Sequence, residues 1–306
     1  MVTSELTNES LADFKAGLEK LCDLAIKRQS NLNSLPTISK HHDLIKRGVD
    51  ILPKDIPDQG WGLKKSIEFL LEEVASLLNP GQAGPRYFGF ITGGTLNSAI
   101  LADWFTTLFD QNVQVHLPKE TMSTVIEVYT IEMIIKMLGL DTLQFSGTLT
   151  TGATASNLLA LICARESTIK QCIQRREGIQ DWSVAEYGLA GIGALRTKVF
   201  VCQAHASIKK TSALAGIGRA NVIDVGRQVQ SELGDAAGRA VSLEFDLERL
   251  RRELKQCYDA KEPAIVVVGM GEVVTGSLTD QTVEVRRLCD EFQAWLHMDA
   301  GEIRTL

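Results

Sequence analysis

The stretch KVFVCQAHASIKK, residues 198–210, decides the fold. Residues 198–202 form a short run of apolar and β-branched side chains, the pattern of a strand buried on both faces. The chain then turns at Ala204-His205-Ala206, and residues 207–215 predict a helix. The same alternation repeats downstream. Strands are predicted over 221–225, 264–268 and 295–298, and helices over 246–257 and 280–292. In the last helix Val285, Leu288, Cys289 and Phe292 share one face. Strands alternating with helices imply a mostly parallel sheet covered on both sides. In such sheets ligands sit beyond the carboxyl ends of the strands.

Upstream the rhythm is different. A helical pattern over 11–26 gives way to a polar loop with Pro36, Pro53 and Pro57. Leu63, Ile67, Leu70, Leu71, Val74, Leu77 and Leu78 recur at helical spacing until Pro80-Gly81 stops the helix. An aromatic, glycine-bearing loop follows, Gly84-Pro85-Arg86-Tyr87-Phe88-Gly89-Phe90, and then helices over 96–109 and 121–138.

Composition narrows the function classes. The chain has 306 residues, 44% hydrophobic and 23% charged, with a net charge of -6. That is ample to bury a core and is not the composition of a disordered chain. The acidic excess argues against nucleic acid as a partner. No apolar run is long enough to span a bilayer. The polar start over 1–10 resembles neither a signal peptide nor a transit peptide, so the expected location is the cytoplasm. The six cysteines form no C-x-x-C pair and the five histidines no H-E-x-x-H motif, so no metal site is expected and the thiols are read as reduced packing residues.

Three places could carry chemistry. Thr150-Thr151-Gly152-Ala153-Thr154-Ala155-Ser156-Asn157 precedes an apolar helical run. Small residues at a helix start suit a phosphate, with Thr154 as N-cap; the same pattern also fits a plain capped helix. His205 follows the 198–202 strand, where it either faces a ligand or caps the next helix. Asp299 ends the 295–298 strand, where it either serves a ligand or is an N-cap or salt-bridge partner. Gly216-Ile217-Gly218 lies after a helix and before a strand, the wrong order for a dinucleotide turn, and reads as a chain turn at a helix end.

Taken in order, these segments resemble the group II pyridoxal-phosphate-dependent decarboxylases, the family of the glutamate and aromatic amino acid decarboxylases. The resemblance covers residues 60–300. It rests on Pro85-Arg86-Tyr87-Phe88-Gly89-Phe90-Ile91-Thr92-Gly93-Gly94, Ala102-Asp103-Trp104, Thr151-Gly152-Ala153-Thr154-Ala155-Ser156-Asn157-Leu158, Ala204-His205-Ala206-Ser207 and Trp295-Leu296-His297-Met298-Asp299-Ala300.

The resemblance implies an α/β fold of the PLP-dependent transferase type (fold type I, aspartate aminotransferase type). It implies an N-terminal helical arm over 1–83 and a large cofactor-binding domain over 84–306. It also implies pyridoxal 5'-phosphate as cofactor, decarboxylation of an amino acid as the reaction, and a homodimer. Gly152, Ala153 and Thr154 would hold the cofactor phosphate. His205 would stack on the pyridine ring as the catalytic histidine, and Asp299 would pair with the ring nitrogen. Two departures stand out. Glu272 and Val273 replace the two threonines of a Gly-Thr-Thr run common in the family. Residues 300–306 contain no lysine, whereas the family's Schiff-base lysine follows the aspartate by a few tens of residues. On this resemblance the large domain is incomplete, truncated before that lysine, and the C-terminal small domain is absent. The chain is then expected to be inactive alone, or to serve as a non-catalytic cofactor-binding or dimerising fragment. Another reaction at the α-carbon is the remaining alternative. Lys209 and Lys210 lie just after His205, with at least one expected to face solvent, and are read as poor replacements for the missing lysine, since Schiff-base chemistry needs a positioned, desolvated amine.

Overall fold

The computed structural model describes residues 11–40, 43–56, 58–91, 93–192, 195–230, 241–271 and 279–301. The chain divides into two compact units, Met1–Ile126 and Glu127–Leu306.

The first unit is helical. Helix α1 (Leu11–Ser30) is followed by α2 (Leu44–Ile51), within the stretch whose prolines suggest a polar loop. The prolines bound α2 instead of excluding it, since Pro53 follows directly on its C-cap, Leu52. Helix α3 (Gly62–Glu68) runs through a π turn (Phe69–Val74) into α4 (Ala75–Leu77), which accounts for the long apolar repeat. Lys20 on α1 and Glu68 on α3 form an ion pair at 2.9 Å. Helix α5 (Asn97–Phe109) completes the unit, and α6 (Ser123–Met137) spans the boundary. These last two helices leave Leu101, Phe105, Leu108, Met133 and Met137 exposed.

The second unit is α/β. In chain order it comprises α7 (Ala153–Glu177), α8 (Val184–Tyr187), β1 (Lys198–Val201), α9 (Ala206–Leu214), β2 (Val222–Asp224), β3 (Gly226–Gln230), β4 (Val241–Phe245), α10 (Leu247–Asp259), β5 (Ala264–Gly269), α11 (Thr282–Glu291) and β6 (Trp295–Asp299). The main sheet has the order β2-β1-β5-β6, and every pair in it is parallel. All four strands match the expected segments to within one residue at each end.

The alternation of side chains explains why both faces must be covered. On one face, Val199, Val201, Ile265 and Val267 pack with Leu161 and Ala164 of α7 and Ile208 of α9. On the other, Phe200, Val266 and Val268 pack with Leu250 and Leu254 of α10 and Val285, Leu288 and Cys289 of α11. Phe292 packs against this second cluster, as its helical spacing with Val285, Leu288 and Cys289 predicts. The antiparallel hairpin β3–β4 was not expected. It is paired from Gly226↔Phe245 to Gln230↔Val241; Val241-Ser242-Leu243-Glu244-Phe245 alternates apolar and polar residues, whereas Gly226-Arg227-Gln228-Val229-Gln230 is mostly polar and does not announce a strand.

Gly216 behaves as the glycine pattern predicts. It follows the α9 C-cap, Ala215, with φ of +73°, and the N–H groups of Ile217 and Gly218 return to the Ser212 carbonyl.

Candidate active site

His205 and Asp299 both stand at the carboxyl end of the parallel sheet, His205 just after β1 and Asp299 as the last residue of β6. Strand β5 lies between these two strands and pairs with each. The start of α7 completes the group: Asn157, four residues into that helix, hydrogen-bonds to Asp299.

The N-cap of α7 is Gly152 and not Thr154, which lies one residue inside the helix. Gly152 has φ of +149° and ψ of 165°, a conformation that side chains disfavour, so glycine takes the cap. The N–H groups of Ala155 and Ser156 bond back to the Gly152 carbonyl at 2.9 and 3.1 Å. As the first two amides of the helix, those of Ala153 and Thr154 have no intrahelical partner, and among the described residues no side chain caps the helix. Residues 151–154 are exposed, and a Cβ built on Gly152 would meet no atom within 4 Å. An open turn with free amides at the positive end of a 25-residue helix fits a phosphate group.

His205 is exposed and is the N-cap of α9, so it fulfils the capping alternative while standing at the site. Its Nδ1 accepts the Ser207 backbone N–H at 3.1 Å and lies 2.8 Å from the Ser207 hydroxyl. Asp299 is half-buried. Its Oδ2 accepts from Asn157 Nδ2 at 3.0 Å and its Oδ1 from the Gly301 backbone N–H at 3.3 Å. It is neither an N-cap nor, among the described residues, a salt-bridge partner. Asn157 Nδ2 also reaches Ser207 Oγ at 3.2 Å, and Asn157 Oδ1 lies 2.8 Å from His297 Nε2. His205, Ser207, Asn157, Asp299 and His297 therefore form one hydrogen-bonded chain.

Sequence reasoning singled out His205 and Asp299 but not Ser207 and Asn157, which join them, nor His297, which bonds to Asn157. One signal was present. Asn157 falls on the face of α7 that also carries the buried Leu161 and Ala164, and a buried amide requires partners. His297 is buried, which holds its pKa below the ordinary histidine value; the nearby Asp299 charge opposes this more weakly. Lys209 and Lys210 are both exposed. Glu272 and Val273 lie outside the described residues, as does the rest of 272–278.

The donor set suits a pyridoxal phosphate: an open amide cradle, an imidazole and a carboxylate at one sheet edge. The model of the pyridoxal-dependent decarboxylase conserved domain matches residues 50–302. The chain belongs to this family. Among curated decarboxylases, it is 24% identical over 278 residues to glutamate decarboxylase of Drosophila melanogaster, covering 90% of this chain and 48% of that protein. An acidic amino acid decarboxylase of Bos taurus is 22% identical, covering 98% of this chain and 53% of the relative. The chain thus spans about half the length of the curated relatives it matches.

Solved structures show the same decarboxylase fold. Tryptophan decarboxylase of Catharanthus roseus, in complex with L-tryptophan, aligns with a TM-score of 0.72 at 16% identity, covering 94% of this chain and 57% of that one. The glutamate decarboxylase domain of a Vibrio parahaemolyticus protein also gives 0.72, at 19% identity, covering 98% and 60%. The expected α/β fold type is borne out. Among the described residues, no helix is long and apolar enough to cross a membrane.

Proposed function

We propose that this chain provides the phosphate-binding and ring-binding residues of a pyridoxal-5'-phosphate-dependent amino acid decarboxylase acting in the cytoplasm. The observation that carries the reading is the hydrogen-bonded chain that joins His205 to Asp299 beside the open N-terminus of α7. The proposed division is an N-terminal arm over 1–83 followed by the cofactor-binding domain.

In this reading Ala153 and Thr154 donate their backbone N–H groups to the phosphate, and the Thr154 hydroxyl adds a third donor. Gly152 keeps the approach clear of side chains. His205 would stack its ring on the pyridine of a bound cofactor. Asp299 accepts a hydrogen bond from the ring nitrogen and thereby holds a proton on that atom. The cofactor, when bound, supplies an electron-poor ring that takes up the electron pair left when the α-carboxylate departs as carbon dioxide. The Asp299 charge at the ring nitrogen favours that uptake because it stabilises the protonated ring.

The substrate is an amino acid, and the partner is a second copy of the chain. The exposed apolar side chains of α5, Leu101, Phe105 and Leu108, support the second statement, since exposed apolar patches mark association surfaces. Sedimentation analysis would show a dimer, and a monomer at micromolar concentration would remove that part of the reading.

The test is a titration of the purified chain with pyridoxal 5'-phosphate, followed by absorbance and by borohydride trapping. Saturable binding that is weakened by Asp299→Asn supports the reading. A spectrum of free cofactor at every concentration overturns it. Covalent trapping, with mass mapping of the modified lysine, would identify any lysine of this chain that serves the cofactor.

A further inference from the structure

Asn157 is 3% exposed, so its amide must find all its partners within the protein. Its orientation follows from chemistry alone. A carboxylate only accepts hydrogen bonds, so the amide nitrogen must face Asp299. The amide oxygen is then left for His297, whose Nε2 must carry a proton and donate it. The second amide proton goes to Ser207 Oγ. That hydroxyl is free to donate its own proton to His205 Nδ1 at 2.8 Å, where the Ser207 backbone N–H also points. Two donors on Nδ1 leave the ring proton of a neutral His205 on Nε2, the atom that no described residue engages.

We infer that Asn157 is a positioning residue that holds the Asp299 carboxylate and, through Ser207, the His205 ring as one unit, with His297 locking the amide in place. The inference rests on the cofactor-facing roles given above to His205 and Asp299. The Asp299 carboxylate is held at both oxygens, by Asn157 on Oδ2 and by the Gly301 N–H on Oδ1. Among the described residues, Asn157 alone couples it to another side chain of the site. Removing the amide frees the carboxylate to rotate and leaves His297 without its acceptor.

The test uses pyridoxamine 5'-phosphate, which has the ring and phosphate but no aldehyde, so binding does not depend on a lysine. Its dissociation constant is measured for the full chain, for Asn157→Ala, Asp299→Asn and the double variant, and for Thr168→Val. Thr168 is a buried hydroxyl on α7 that bonds within its own helix, away from the site. A positioning role predicts that Asn157→Ala and Asp299→Asn each weaken binding about tenfold, and that the double variant is weaker than Asp299→Asn by much less than tenfold, the remainder being the His205 path through Ser207. Thr168→Val lowers the melting temperature and leaves binding unchanged. Additive penalties overturn the inference.

If the full chain does not bind the probe, or if Asp299→Asn binds as well as the wild type, the cofactor reading fails. The positioning role is then decided by NMR of the cofactor-free chain, with no substitution at Asn157 needed. Asp299→Asn shifts the Asn157 carboxamide signals and the His297 Nε2–H signal, and Thr168→Val does not. Signals unmoved by Asp299→Asn overturn the inference.

Discussion

His297 Nε2 lies 2.8 Å from Asn157 Oδ1, and the imidazole is buried behind the site. Burial disfavours the cation and lowers the histidine pKa, with the Asp299 charge a weaker opposing effect. In the unfolded chain the same side chain takes up a proton near pH 6.5. Below that pH the unfolded state therefore binds more protons than the folded one, and stability falls as the solution is acidified. The stabilising contribution is complete above about pH 6.5 and is lost as pH drops through the lowered native value. Urea unfolding at pH 7.5 and at pH 5 measures it. The wild type loses stability between the two, and His297→Gln loses less. Equal losses would show that His297 is not the group responsible.

Gly152 gives a second prediction. Its φ of +149° is a glycine conformation, and nothing lies within 4 Å of the position a Cβ would occupy. Gly152→Ala therefore meets no steric neighbour, and its cost is backbone strain alone, on the order of 1–3 kcal/mol. Denaturant unfolding should show that loss with an unchanged m-value. A cost below about 0.5 kcal/mol, the usual range for an exposed substitution, would mean that the turn relaxes to another conformation.

The sheet was legible because its central strands β1 and β5 are buried on both faces, and a continuous apolar run such as Ala264–Gly269 has few other places to go. The helices beside it announced themselves by one apolar stripe, as Val285, Leu288 and Cys289 do on α11. Helix α2 was missed because its eight residues lie in a stretch bounded by prolines; Leu44, Ile45, Val49 and Ile51 do fall on one side of the helix, but none of them is buried. Hairpin β3–β4 was missed although Val241-Ser242-Leu243-Glu244-Phe245 alternates, because its partner Gly226-Arg227-Gln228-Val229-Gln230 is mostly polar. At the site, His205 and Asp299 were legible as polar residues at strand ends. Asn157 and His297 were not singled out, because their importance lies in a contact across 140 residues of sequence that only the folded chain brings together. Thr154 was assigned the cap because its hydroxyl suits an N-cap, yet the backbone places glycine there.

The cysteines should differ sharply in reactivity. Cys163 on α7 is exposed. Cys257 and Cys289 are buried, and desolvation pushes their thiols up to about 11 and about 12. Cys202 is half-buried, with its thiol likewise raised to about 11 by desolvation and, less strongly, by the Asp224 and Glu244 carboxylates. Only the thiolate attacks a disulfide reagent. Titration with Ellman's reagent at pH 8 should label Cys163 ahead of Cys257 and Cys289, with the last two reacting only after denaturant is added. Rapid labelling of Cys289 in the native protein would contradict the packing of α11 against the sheet.

Gly301 ties the end of β6 to the start of α7. A Cβ at this position would stand 3.1 Å from the Ala153 Cβ and 3.4 Å from Asp299 Oδ1. The first distance is well inside the comfortable carbon–carbon separation of about 3.5–4.0 Å, so either the turn opens or the first turn of α7 moves. Both segments are exposed, and the fold can absorb the shift. The geometry between the free amides of α7 and the Asp299 carboxylate cannot remain the same. Gly301→Ala should therefore weaken pyridoxamine 5'-phosphate binding several-fold while moving the melting temperature little. The double variant Gly301→Ala/Ala153→Gly removes the opposing methyl and should restore much of the affinity. Failure of that rescue would place the loss elsewhere than in the contact between these two residues.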